Sequence, residues 1–391
     1  LMSPAGPGEA MERAPSRPAG ALALAGVLVP FMLSAYSVFS LSLVLGQLAR
    51  QFSVPASAVL AAIPIDFVGG AVGGVLLGYM ADRLGRRPAL MLAAALFGLA
   101  VLAASAINSL WELYVLWFLV GVGVNSQNGV AYAVLVELLR SAKGSVGGFM
   151  QGLYFIGFFL DELVHVLVPY WRPYFLVVGA SSLAVSLALT SQVPETSARR
   201  RAPGASLLRM GRRLALITVG LSAVVVGAFM YSVPLLSVVP SFLGSMGLGQ
   251  QVLFGLSLAG FAGFVAAGAA SDAYGRLGTQ VAFSAAGLAS SVLLALIASG
   301  GAGLAALAAL FFFTGYFGFT GVWAGESYPA EFRATATNVV FLVGRLVGGF
   351  SAIIAALAYP PSLRIGTAIT CAVANALALV GAAIYYEARR L

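Results

Sequence analysis

The charges of this chain lie almost entirely between twelve apolar runs, each long enough to cross a bilayer as a helix. Such a helix needs roughly 20 apolar residues to span about 30 Å of hydrocarbon, where only helices and closed barrels satisfy their own backbone hydrogen bonds. The runs fall at 21–48, 55–80, 88–107, 110–136, 144–168, 172–192, 214–242, 250–271, 278–298, 301–325, 334–358 and 363–386. With 60% of residues hydrophobic and 9% charged, the chain cannot cover a soluble core with polar surface. The sequence predicts an all-α polytopic membrane protein.

The stretch Gly78-Tyr79-Met80-Ala81-Asp82-Arg83-Leu84-Gly85-Arg86-Arg87 recurs in reduced form as Gly268-Ala269-Ala270-Ser271-Asp272-Ala273-Tyr274-Gly275-Arg276. Asp82, Gly85 and Arg86 map onto Asp272, Gly275 and Arg276 at one offset of 190, and Glu137 and Glu326 repeat at 189. Two motifs with one spacing predict two parallel six-helix halves, an architecture used by secondary carriers. The expected organisation is a tail at 1–20, a first half at 21–192, a polar linker at 193–213 and a second half at 214–391. The first apolar run is long and lacks a small-residue cleavage pattern, so it reads as a retained helix.

Short cytoplasmic loops gather Lys and Arg. With both termini cytoplasmic, all but four of the 21 basic residues fall inside; Arg50, Arg172 and Arg364 fall outside and Arg345 within a span. The net charge of +8 is thus explained by topology in a plasma (inner) membrane, and nucleic acid is not expected as a partner. Cys371 is the only cysteine, which excludes intrachain disulfides and thiolate clusters. No nucleophile–base pair or cofactor fingerprint appears, so neither enzyme activity nor a cofactor is expected.

The Gly78–Arg87 stretch resembles the loop 2–3 signature of the major facilitator superfamily, and the twelve spans extend that resemblance over nearly the whole chain. Glu137 through Gly144, Pro194-Glu195-Thr196 and Glu326 through Arg333 resemble its sugar-porter and organic-acid:proton symporter branches, with Lys143 where those usually carry arginine. The turn after the second span requires glycine at Gly85, and Asp82 is placed to accept bonds from a neighbouring helix start or an arginine across the halves. Gly78, Asp82, Arg83, Gly85, Arg86, Glu137, Asp272, Arg276, Glu326 and Arg333 therefore form the expected conformational gate. For Glu137 and Glu326, pairing with nearby basic groups is what the resemblance implies.

Ionisable groups inside the hydrocarbon are costly and are functional candidates by default. Asp66 lies about 18 Å along its helix from Gly78, and Arg345 the same distance from Arg333, so both fall near mid-membrane. The resemblance places their helices, the second and eleventh, face to face across the halves. Asp161, Glu162 and His165 share the fifth span, with His165 spaced to meet either acid. Asp66, Asp161, Glu162 and His165 are the candidates for proton coupling. Glu162 and His165 also have metal-pair spacing, but without a second such pair no metal site is expected.

Asn125, Ser126, Gln127 and Asn128 interrupt the fourth span, and buried amides need partners that a substrate can supply. The resemblance implies a cavity lined by helices 1, 4, 7 and 10, which selects Asn125, Asn128, Tyr36, Tyr231, Tyr316 and Trp323, with Gln151 and Tyr154 from helix 5 and Arg345 for a carboxylate. The expected function is proton-coupled symport of a small organic solute, a monocarboxylate or aromatic acid, by a monomer working through alternating access. Sugar:proton symport, drug or organic-cation efflux and a non-transporting membrane sensor are the alternatives. Efflux is disfavoured because Trp117 stands where drug antiporters usually carry arginine, and Gly152–Gly157 lacks their proline.

Overall fold

A computed structural model describes residues 21–138, 143–195, 211–297, 300–329 and 333–391, and its elements among these are all helical. The expected tail and residues 196–210 of the expected linker lie outside the described residues. The first half comprises α1 (Ala21–Gln51), α2 (Ala62–Arg83), α3 (Arg86–Ala104), α4 (Leu110–Leu138), α5 (Lys143–Leu167) and α6 (Trp171–Thr190). The second comprises α7 (Arg212–Ser237), α8 (Val252–Tyr274), α9 (Arg276–Leu296), α10 (Gly300–Ser327), α11 (Arg333–Gly348, continued as Ser351–Ala358) and α12 (Leu363–Arg390). Eleven of the described segments are long and apolar enough to span a bilayer. The 29-residue α4 completes the twelve.

Helix interruptions follow local chemistry. A 3-10 turn at Thr314–Tyr316 divides α10, and Gly349-Phe350 separates the two pieces of α11. The repeated loops are built alike: Gly85 has φ +111° and ψ 158°, Gly275 φ +86° and ψ 154°. This region is accessible essentially to glycine alone, so one residue type turns the chain in both halves.

Each half packs as a bundle, with α2 and α3 on α4 in the first and α9 and α11 beside the α7–α12 pair in the second. The halves meet where α5 contacts α8 and α10, α2 contacts α11 and α1 contacts α7. Lipid tails are as apolar as leucine, so close backbone approach drives such contacts. The α5–α8 seam shows this most plainly. A Cβ on Gly148 would strike the Phe264 carbonyl oxygen and come within 3.0 Å of the Gly268 Cα.

Candidate functional site

The α8–α9 loop reaches across to the other half. Asp272 accepts hydrogen bonds from the first turn of α5, at Gly144 N (3.1 Å), Ser145 N (2.8 Å) and Ser145 Oγ (2.8 Å). A carboxylate suits a helix start because unpaired N–H groups and the positive dipole end point at it. Arg276 bonds Asp272 at 2.7 Å and Ser271 Oγ at 2.6 Å, and grips Glu326 with Nε at 3.1 Å and Nη2 at 3.2 Å. Asp272, Arg276 and Glu326 thus join α5, α8, α9 and α10.

The first-half loop is finished differently. Glu195 caps the start of α3 through Arg86 N (2.7 Å) and Arg87 N (3.3 Å), and a Cβ on Gly85 would meet its carboxylate at 2.5–2.7 Å. Arg83 is exposed and lies over the Tyr79 ring at 4.6 Å, while Gly78 has open space beside it. The side chains of Asp82, Glu137 and Arg333 lie outside the described atoms, as do those of Asn128 and Lys143.

Between the halves is a cavity of about 100 Å³. It has room for about three waters. Asp66 and Asn125 enter it from α2 and α4, Gln151 and Tyr154 from α5, Ser232 and Ser237 from α7 and Arg345 from α11. Its apolar wall includes Phe39, Phe67 and Phe155 from one half and Phe229, Phe264 and Phe317 from the other. Asp66 is 3% exposed with Oδ1 unpartnered; Arg345 is partly buried with Nε unpartnered. Each is an electrostatic neighbour of the other, yet no ion pair or hydrogen bond joins them among the described residues. Two complementary groups held short of contact, one buried and one partly buried, leave a place for a group bonding to both.

Four residues singled out from the sequence face elsewhere. Tyr36 turns into the first half, where Ser181 Oγ lies 3.4 Å from its hydroxyl. Tyr231 donates to the Leu310 carbonyl at 2.9 Å and stacks on Tyr316, so both are internal to the second half. Trp323 packs on Tyr385 and lines a separate cleft of about 510 Å³ beside the start of α9, together with Arg213, Glu326 and Arg389.

The acid trio also lies outside the central cavity. Asp161 is fully buried and accepts a hydrogen bond from Tyr174 of α6, whereas Glu162, 4% exposed, accepts one across the halves from Ser257 of α8 at 3.0 Å. His165 meets neither acid. Its ring packs edge-on to Tyr174 at 5.2 Å, and its Nε2 is buried without a partner. Tyr174 occupies the place that helical spacing alone assigned to the His165 contact.

Comparison with known proteins agrees with this architecture. The sequence profile of the Major Facilitator Superfamily matches residues 25–385. The chain belongs to the major facilitator superfamily. It is 27% identical over 339 residues to the "Probable 4-methylmuconolactone transporter" of Cupriavidus pinatubonensis, covering 82% of this chain and 79% of that protein. It is 30% identical over 177 residues to the multidrug transporter MdfA of Edwardsiella ictaluri, covering 44% and 42%. The inward-open xylose transporter XylE from E. coli superposes with a TM-score of 0.74 at 19% identity, covering 93% and 95%.

As a member of this superfamily the protein is a multi-pass transporter and not an enzyme. Sequence reasoning missed the phenylalanines of the cavity and Ser232, Ser237 and Glu195 in their roles. On α7 the lining residues Phe229, Ser232, Val233, Leu236 and Ser237 form a stripe at helical spacing. Tyr231 falls about 200° from Phe229 and about 100° from Ser232 at 100° per residue, off that stripe. Glu195 carried one signal, an acid directly after Pro194 at the end of the sixth span.

Proposed function

We propose that the protein is a proton-coupled symporter of an aromatic or similarly apolar monocarboxylate, acting as a monomer in the plasma (inner) membrane. The observation that carries this reading is Asp66 and Arg345, from opposite halves, facing one aromatic-lined cavity without pairing. The Arg345 guanidinium matches a carboxylate in a bidentate fashion. The phenylalanines accept a ring by stacking or edge contacts.

Charge balance then links the proton to the substrate. A buried cation needs one counter-charge. With the cavity empty, ionised Asp66 supplies it; with a carboxylate on Arg345, Asp66 is neutral, so one proton accompanies one substrate and the loaded site is electrically balanced. The cavity of about 100 Å³ is small for a ligand site, so the halves separate to admit the solute. Asn125, Gln151 and Tyr154 orient it. The arginine-rich loops support a cytoplasmic position for the ends bearing Gly85 and Gly275 and for both termini. Resemblance to the 4-methylmuconolactone transporter supports a small organic solute.

Proteoliposomes with an inward proton gradient provide the test. Benzoate and related ring carboxylates are expected to accumulate, with an imposed membrane potential having no effect on the rate. Asp66→Asn is expected to keep exchange of internal for external substrate and to lose accumulation, and Arg345→Ala to lose both. Failure of a carboxylate panel to enter under the gradient rejects the assignment. Drug export is the second reading, supported by the partial match to MdfA; Arg345 inside the cavity works against it for cations, and uptake of a lipophilic cation with no carboxylate uptake would select it.

A further inference from the structure

The α5–α8 seam is held at two levels, and the second lies outside both the substrate cavity and the charged loops. Glu162 stands 18 residues beyond Gly144, about 27 Å farther along α5. There its Oε1 accepts the Ser257 hydroxyl at 3.0 Å while Oε2 is buried without a partner. Phe159 and Phe254 close the same level, with ring centroids 5.3 Å apart.

The surroundings contain acids, phenols and the imidazole of His165, which bonds neither acid. On α5 the neighbours are Asp161 and His165; α6 adds Tyr174, and α1 adds Tyr36, bonded to Ser181. The α8 sequence offers Ser257 here, its only charged residue being Asp272 at the opposite end. Arg172, the basic residue of α6, is engaged by the Ser105 and Ile107 carbonyls and Asn108, and lies over Trp171. Among the described residues neither acid has an ion-pair partner.

The two acids are not equivalent. Consecutive residues on a helix point about 100° apart. Asp161 therefore faces α6 of its own half, where its surroundings do not change when the halves separate. Glu162 faces the other half. Ionised, it would be a buried charge with one hydrogen bond and no counter-ion, which the low-dielectric interior penalises heavily. Neutral, it fits the closed seam.

We infer that Glu162 is a proton-operated latch on the seam, which closes α5 against α8 when neutral and opens them when it ionises. On opening, the proton passes to water entering between the helices, and the carboxylate is hydrated in place of its Ser257 contact. In the orientation proposed above this end faces outside, so a low external pH favours closure behind a bound solute. The inference rests on the alternating halves of the fold and not on the identity of the substrate.

Distance measurement between spin labels tests it on the full chain in nanodiscs, without substrate. Labels go on Leu163→Cys of α5 and Leu258→Cys of α8, both exposed, while the native Cys371 is buried. The separation is expected to lengthen from about pH 5 to about pH 9. Glu162→Gln is expected to hold the short distance at both, and Asp161→Asn and His165→Gln to keep the lengthening. If Gln at 162 prevents folding, Glu162→Asp keeps the acid and is expected to keep the response. A wild-type distance that ignores pH overturns the latch, as does a response that survives Glu162→Gln or disappears with Asp161→Asn or His165→Gln. Because no substrate is present, this result and the carboxylate assignment can fail separately.

Discussion

The two ends of the α5–α8 seam solve one problem with opposite chemistry. At the loop end Asp272 binds two backbone N–H groups, a hydroxyl and Arg276, and Arg276 passes the charge on to Glu326, all partly exposed. At the far end Glu162 is buried with a single serine. A network of paired charges at the surface stays satisfied while ionised and is screened by salt. A lone buried acid is indifferent to salt and governed by protonation. Two ends built this way respond to different variables, ionic strength at one and protonation at the other.

The comparison breaks most severely if the seam cannot form at all. Gly148→Leu places side-chain atoms against Phe264 and Gly268, one helical turn in from the loop end of the contact. Transport is expected to vanish in a counterflow assay, with stability lowered by about 1–3 kcal/mol. Asp272→Asn should leave the far end intact and weaken only the loop end, lowering counterflow about tenfold. A double-mutant cycle with Arg276→Gln is expected to give a coupling near 1 kcal/mol or above, measured by thermal unfolding and shrinking in high salt. Ser145→Ala removes one of four bonds to Asp272, and the expected loss in the same assay is a few-fold at most. Ser257→Ala is the smallest change, expected to lower stability by about 1 kcal/mol without any salt dependence. Equal salt responses at the two ends would remove the distinction.

The fold was legible because span length and repeat spacing do not depend on which way a helix faces. Twelve runs and the paired glycine turns could be read from the chain itself, whereas the association of Glu326 with a basic group came from the family resemblance. Helix rotation could not. In a soluble helix the polar stripe marks the outside, but here lipid-facing and core-facing residues are both apolar, so Phe229 and its neighbours carry no contrast against the rest of α7. Polar residues drew attention instead, and Tyr36, Tyr231 and Tyr316 proved to satisfy contacts within their own halves. Asp66, Arg345 and Asn125 were recoverable because a charge or an amide in hydrocarbon is rare. Gln151 and Tyr154 enter the cavity because α5 runs along the boundary between halves.

Glu195 belongs by sequence to the segment that leaves the first half, yet its carboxylate completes the start of α3, 109 residues earlier. The second half turns at Gly275 with open space where a Cβ would stand, and Asp272 of its loop bonds across the seam. The duplicated halves have therefore ceased to be interchangeable modules. Expressed as two polypeptides, they are expected to reassemble when the break follows Glu195, and a break before it strips the cap from α3 at a cost of about 0.5–2 kcal/mol.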